Sequence, residues 1–335
     1  MKTIWIVNDG SPGHLAQSRG LAEALRSHGH TLEIAEISIG RRFSGMQRSF
    51  IRWLMGGSGT RASSFLRDLV LKGVQLPERR PDLILSSGGK SVFTGRLLAN
   101  QFDVPYVFVG ERKPYPSAWF HTVFTPSPRE CAANDCRIGL IPTGVTPDKV
   151  KAAATEYDAP GGPLWSMIVG GCSKSHKFQE DDWIRMAREM NDLAGQFGVR
   201  WLVTSSRRTG QKAERLLEHY LDPEAVADTV WWSKNPRKLL LAFLGSAERV
   251  FVTQDSVTMV TEAICSGRPV SVIAPERVTF PRNSFMKSYL EGLEAKGLIH
   301  RTPITRMRLA PSKIRAEVTP DPVGQIVEAL IRRLP

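Results

Sequence analysis

Short apolar runs alternate along the chain with longer segments whose apolar residues recur at helical spacing. The clearest example spans residues 249–276. Val250, Phe251 and Val252 read as a buried strand. Thr253, Gln254, Asp255 and Ser256 follow, all polar and able to cap a helix. Val257, Val260, Thr261, Ile264 and Cys265 then mark a helix face, Gly267 closes it, and Pro269 blocks its continuation before a strand at 270–273. Such a strand-loop-helix-strand unit belongs to an open parallel sheet, whose ligands gather at the carboxyl ends of its strands.

The same alternation predicts strands at 3–7, 32–37, 82–86 and 105–109, with shorter ones at 121–124 and 139–142. A polar, alanine-rich stretch after Thr143, running to Gly161, Gly162 and Pro163, reads as a linker. The pattern restarts with a strand at 164–169, a helix at 181–197, a strand at 201–204, a strand end at 230–232, a helix at 237–244 and another led by Phe285. An amphipathic helix is predicted at 323–334. The resulting division is a first Rossmann-like domain at 1–150, a second at 160–305 and a tail at 306–335 that packs on the body. The fold class is α/β, two doubly wound domains.

Glycine-rich or polar loops follow most of the strands. The first is Asn8, Asp9, Gly10, Ser11, Pro12, Gly13 and His14. It fits neither G-x-G-x-x-G nor the P-loop pattern, so a dinucleotide or ATP γ-phosphate site is not supported. His14 is either a loop side chain bonded to backbone or a base beside a substrate hydroxyl, and Asp9 is a second candidate in the same loop. Ser87, Gly88, Gly89 and Lys90 form another anion or hydroxyl site at a helix start. In the second half, Gly170, Gly171, Ser173 and Lys174 follow one strand and Ser206, Arg207 and Arg208 another. With Gln254, Asp255 and Ser256 they suit a diphosphate. Glu262 lies about one and a half turns into its helix, where it either lines a solvated face or accepts hydrogen bonds from two sugar hydroxyls.

Charge sharpens this picture. The chain has 335 residues and 45 Lys+Arg against 33 Asp+Glu, a net charge of +12 that favours anionic partners. No zinc-finger, RNA-recognition or basic-zipper signature accompanies it, so nucleic acid is not expected. Between residues 41 and 73 there are seven Lys or Arg and one Asp, interleaved with large apolar residues. Two helices split at Gly56, Gly57, Ser58 and Gly59 are predicted there. They are either core helices with solvated basic faces or an amphipathic segment lying on anionic lipid. No apolar run is long enough to span a bilayer, and the start of the chain reads as a strand and not a signal peptide. Cys131, Cys136, Cys172 and Cys265 lack zinc spacing and read as cytosolic thiols.

Two similar α/β halves with glycine loops facing a cleft look like the GT-B fold of glycosyltransferases. The chain more closely resembles the elongated-mitochondria family, plant mitochondrial-fission proteins and their bacterial relatives. The residues that carry this are Gly10 to His14 followed by Ala16, Gln17 and Ser18, then Ser87 to Ser91, Ser205 with Arg207, Arg208 and Thr209, and Asp255, Ser256, Glu262, Ala263, Gly267, Arg268 and Pro269. Lipid-disaccharide and peptidoglycan N-acetylglucosaminyl transferases share the arrangement. There an N-terminal glycine loop serves the acceptor, and a C-domain loop plus a helix-borne glutamate serve the donor nucleotide. Gly10 to His14, Gly170 with Gly171, and Glu262 occupy comparable places, although Gly170, Gly171, Cys172, Ser173 and Lys174 depart from the usual G-G-S-x-G.

The resemblance implies a metal-independent glycosyltransferase without a resident cofactor, taking a nucleotide-sugar donor and a cell-envelope glycan or lipid-linked acceptor. His14 or Asp9 would act on the acceptor, with Gly13, Ser87, Gly88, Gly89 and Lys90 beside it. The expected location is cytoplasmic, peripheral at the inner membrane. A nucleotide-sugar epimerase and a non-catalytic membrane-associated scaffold are the alternatives.

Overall fold

A computed structural model describes residues 2–29, 31–56, 63–127, 132–309 and 324–333. It divides into two compact units, Met1–Gly144 with Pro320–Pro335, and Val145–Thr319.

The first unit runs β1 (Lys2–Asn8), α1 (Pro12–Ser27), β2 (Leu32–Ser38), α2 (Gly45–Met55), α3 (Ser64–Leu71), β3 (Leu83–Ser87), α4 (Val92–Phe102), β4 (Tyr106–Val109), β5 (Thr122–Thr125) and β6 (Asp135–Arg137). The strands form one parallel sheet in the order β2-β1-β3-β4-β5-β6. Ile4, Trp5, Ile6 and Val7 are buried on both faces, as parallel strands require. Trp5, Phe93, Phe108, Trp119 and Phe120 fill the core. The strand order turns back between β1 and β3, so their carboxyl-end loops, 8–14 and 88–91, are the pair that frames a crevice.

The second unit runs α5 (Pro147–Glu156), β7 (Leu164–Val169), β8 (His176–Lys177), α6 (Glu180–Phe197), β9 (Arg200–Ser205), α7 (Gln211–Tyr220), β10 (Val226–Val230), α8 (Leu240–Ser246), β11 (Arg249–Thr253), α9 (Val257–Cys265), β12 (Val270–Ala274), β13 (Arg277–Val278), α10 (Phe285–Ala295) and β14 (His300–Pro303). Its main sheet is parallel in the order β10-β9-β7-β11-β12-β14, with the reversal between β7 and β11. β8 and β13 pair antiparallel as a separate two-stranded ribbon. Trp165, Trp201 and Phe251 pack edge-on and stacked at the centre of the core.

Several boundaries differ from the sequence reading. Residues 147–156 of the expected linker form a helix, capped by Thr146 and started by Pro147. Its contacts are with α8, so it is part of the second unit and not a tether. The strand expected at 139–142 is irregular chain, although Leu140 and Ile141 are buried, and the sheet edge is β6 instead. The strand end expected at 230–232 is the close of β10, and the helix expected at 237–244 begins at Leu240. The tail returns to the first unit, where α11 (Gly324–Ile331) packs on α1. The expected Gly57–Ser58–Gly59 turn, Arg61, Cys131 and residues 310–323 of the tail lie outside the described residues.

Two glycines test the helix packing. A Cβ on Gly245 of α8 would strike the Val150 carbonyl and Ala154 of α5. Gly195 of α6 is exposed and open. Gly245→Ala is expected to lower stability by about 1–3 kcal/mol through overpacking. Gly195→Ala is expected to raise it by roughly 0.5–1 kcal/mol through helix propensity. Urea-unfolding midpoints check both; shifts of the same sign would refute the α5–α8 contact.

Candidate functional site

The loops after β7, β9 and β11 meet at the switch point of the second unit, and a buried carboxylate joins them. Thr253 ends β11, and its hydroxyl donates to Asp255 Oδ1 at 2.7 Å while accepting the Gly170 N–H at 2.6 Å. Gly170 has to be glycine, because any Cβ there would overlap the Asp255 carboxyl group. Gly171 likewise lies against the Arg208 carbonyl. Arg208 Nη2 stands 2.6 Å from Asp255 Oδ2, and Nη1 donates to the Asp255 carbonyl at 3.3 Å. Oδ2 makes no aligned hydrogen bond and is balanced by charge alone. Burial pushes Asp255 upward in pKa, opposed by Arg208, the Thr253 hydroxyl and the Gly171 N–H.

A second tie crosses the same loops through His176, which sequence reasoning passed over. Its ring is fully buried, and the Gln254 amide donates to Nε2 at 3.0 Å. Nδ1 then carries the proton and faces the Ser175 and Ser173 hydroxyls at 3.0 and 3.3 Å. Burial, then the nearby Arg208 charge, pushes His176 down to about 4, so it is neutral at physiological pH. In the neighbouring loop, Thr209 accepts the Ser206 N–H at 2.9 Å and donates to the Gly170 carbonyl.

The predicted donor-side residues therefore separate by role. Gly170, Gly171, Ser173, Gln254, Asp255 and Arg208 are engaged with one another or with His176, and Ser206 with Thr209. Gly170 and Gly171 thus have a packing reason to be glycine, and Arg208 has a carboxylate partner while its side chain stays 38% exposed. Their small size and charge answer to the chain's own packing. Ser256 caps α9 by accepting the Met259 N–H. Lys174 and Arg207 are exposed, and among the described residues neither forms an ion pair.

Helix starts discriminate further. The first turn of α6 holds Glu180, Asp181 and Asp182, which repel an anion, while that of α9 holds no acidic residue. The loop after β7 also does not lead directly into α6, because β8 intervenes. The anion-compatible helix start at this switch point is that of α9.

Glu262 lies on α9, half-buried, and among the described residues its carboxyl group has no hydrogen-bond or ion-pair partner. Burial pushes it up to about 7. A half-buried acceptor without a donor from the chain suits a ligand that brings hydroxyls.

In the first unit, Asp9 and His14 come together. Asp9 Oδ2 lies 2.9 Å from His14 Nδ1, and Asp9 Oδ1 accepts the Ser11 N–H at 2.9 Å. Burial works to raise the Asp9 pKa, but His14, the Ser11 N–H and Lys90 outweigh it and hold the carboxyl below its usual range. Asp9 thus stays ionised and fixes the ring, leaving Nε2 of the 40% exposed His14 side chain as the available base. Gly88, at φ +80°, passes directly under the imidazole, where no Cβ fits. Gly13 occupies the first turn of α1 and Lys90 is exposed. Ser87 is turned inward and accepts from Ser18 at 3.3 Å, so it supports the loop. The Gly89 carbonyl accepts the Tyr115 hydroxyl at 2.7 Å. Arg42 packs over Gly10.

Asp255→Ala is expected to destabilise by about 2–4 kcal/mol, since it strands Arg208 and releases three loops. Ser256→Ala should cost only about 1 kcal/mol, the value of one cap. Chemical unfolding of both variants checks the ranking. Glu262 adds a pH signature. Its folded pKa is raised, so its contribution is most favourable below the unfolded value of 4.5 and is lost as pH rises through about 7. Glu262→Gln should therefore gain on the order of 1–3 kcal/mol over the native chain at pH 8 but not at pH 4. Equal differences at both would refute it.

Comparisons with known proteins agree with the fold. The UDP-GlcNAc 2-epimerase of Methanocaldococcus jannaschii superposes with a TM-score of 0.56 at 13% identity, covering 99% of this chain and 100% of that one. The glycotransferase of kitacinnamycin superposes with a TM-score of 0.54 at 14% identity, covering 100% and 99%. The two sheets are thus GT-B-like Rossmann-type domains. An uncharacterized protein of Rickettsia prowazekii is 26% identical over 117 residues, a match spanning 33% of this chain and 31% of that protein. The profile described as mitochondrial fission ELM1 matches residues 12–323, nearly the whole chain, and on that match this protein belongs to the mitochondrial fission ELM1 family.

Proposed function

We propose that the protein transfers a glycosyl group from a nucleotide-sugar donor to a hydroxyl acceptor. The observation that carries this is Glu262, a half-buried carboxylate without a partner among the described residues, on the helix that starts beside the β7, β9 and β11 loops. A ribose supplies the two hydroxyl donors that Glu262 lacks. The diphosphate then lies toward the start of α9, within the field of that helix end, with Lys174 and Arg207 as exposed cations.

In the reaction the anomeric carbon–oxygen bond breaks, and its electron pair leaves on the diphosphate. The acceptor oxygen bonds to the anomeric carbon and gives its proton to a general base; the candidate base in the first unit is His14 Nε2, with Asp9 holding the imidazole and stabilising the cation that forms. Fixed N–H groups and cations stabilise the charge that builds on the leaving diphosphate. The framework beneath them does not reorganise, because Asp255 and His176 already tie it together. The acceptor is a cell-envelope glycan or a lipid-linked acceptor in this reading.

Calorimetric titration with UDP, GDP, ADP, TDP and CMP tests the proposal. One of them should bind, and Glu262→Ala should weaken it roughly 10–100-fold, the value of one or two hydrogen bonds to a charged group. His14→Ala should leave that affinity unchanged and abolish transfer. Absence of binding by every nucleotide, or an unaltered affinity in Glu262→Ala, would overturn the reading. Turnover of the nucleotide sugar with no acceptor present would assign an epimerase instead.

A further inference from the structure

α2 has two apolar faces, and among the described residues only one of them has a partner. Ile51 and Met55 are buried against the first unit's core. On the opposite side Met46, Phe50 and Trp53, spaced to form a single stripe, are 85%, 60% and 74% exposed. Leu54 and, on α3, Phe65 extend the patch. The stripe is held in place, since α2 starts in a Ser44–Gln47 capping box and Phe50 and Trp53 already stack at 6.0 Å. Exposed apolar side chains scattered singly need no explanation; a contiguous run including a tryptophan marks a contact surface.

Charge identifies what the surface meets. Arg41 and Arg42 are exposed just before α2, while Arg48 and Arg52 are half-buried on the side of Tyr115, away from the stripe. The one acidic residue between 41 and 73, Asp68, pairs with Arg67. Among the described residues Arg41, Arg42, Arg48 and Arg52 form no ion pair. A second copy of the chain seated on the stripe would bring these arginines against their own counterparts. A bilayer with anionic headgroups satisfies both the stripe and the charge. No helix among the described residues is long and apolar enough to cross a membrane, so the contact would be interfacial. We propose that the outer face of α2, with Met46, Phe50 and Trp53 inserted at the headgroup level and the exposed Arg41 and Arg42 on phosphates, docks the protein on an anionic membrane surface. This surface is independent of the nucleotide reading, because it is built from other residues and needs no nucleotide to be present.

Co-sedimentation of the full chain with vesicles tests it. Phosphatidylglycerol mixed with phosphatidylcholine should bind the protein at low salt, and pure phosphatidylcholine should bind it at least about tenfold more weakly. Phe50→Ser/Trp53→Ser should reduce binding to the anionic vesicles by at least about tenfold at unchanged thermal stability, because neither side chain is in the core. Phe197→Ser, which removes an exposed aromatic side chain elsewhere, should leave binding unchanged. Native protein that ignores anionic vesicles, or a double variant that binds them as the native chain does, would overturn the proposal. So would a double variant whose only change is conversion of a native dimer into a monomer, which would assign the face to a second copy.

Discussion

The switch point of the second unit is organised by a carboxylate, Asp255, that has been removed from water. Burying a charge is unfavourable unless charge or hydrogen bonds replace its hydration, and here the replacements come from three separate loops. Thr253 supplies a hydroxyl, Arg208 a guanidinium and the Gly171 region an N–H. Because each belongs to a different β-strand exit, satisfying Asp255 fixes the loops with respect to one another. Gly170 follows from the same constraint, since the carboxyl group occupies the space a side chain would need. His176 adds a neutral tie between two of those loops.

The first unit solves a related problem with the same device. Asp9 is buried at the exit of β1 and is balanced by His14 on the helix that follows. Gly88, from the exit of β3, closes under the ring. In both units a buried aspartate at the carboxyl end of a parallel strand positions a basic group that stays partly exposed. In the second unit that group is locked by the pair; in the first, the imidazole keeps one nitrogen available.

Much of the fold was legible along the chain. β1, β3, β7 and β11 were apparent because buried parallel strands are continuous apolar runs, and Leu83 to Ser87 or Leu164 to Val169 allow few other readings. β10 was harder, since an edge strand with Asp228 and Thr229 has one side in water and loses the apolar signal. α5 was concealed by its alanines and polar residues, although Thr146 and Pro147 announce a helix start. The segment after Arg41 was read as either core or membrane-facing; α2 buries Ile51 and Met55 and exposes Phe50 and Trp53, a split that periodicity alone did not assign.

The sequence alone determined where the strands end, and therefore which short polar stretches lie at the crevice of each sheet. It also determined the excess of positive charge and the place of Glu262 on its helix. Only the tertiary structure decided which of those polar groups are occupied. Arg208 meets Asp255 across 47 residues and Gln254 meets His176 across 78. No local pattern encodes such pairings, because hydrogen bonds and ion pairs depend on distance in space, whereas periodicity records only which face of an element a residue shares. Glu262 stands out for the same reason: its lack of a partner among the described residues is visible only once the surrounding groups have found theirs.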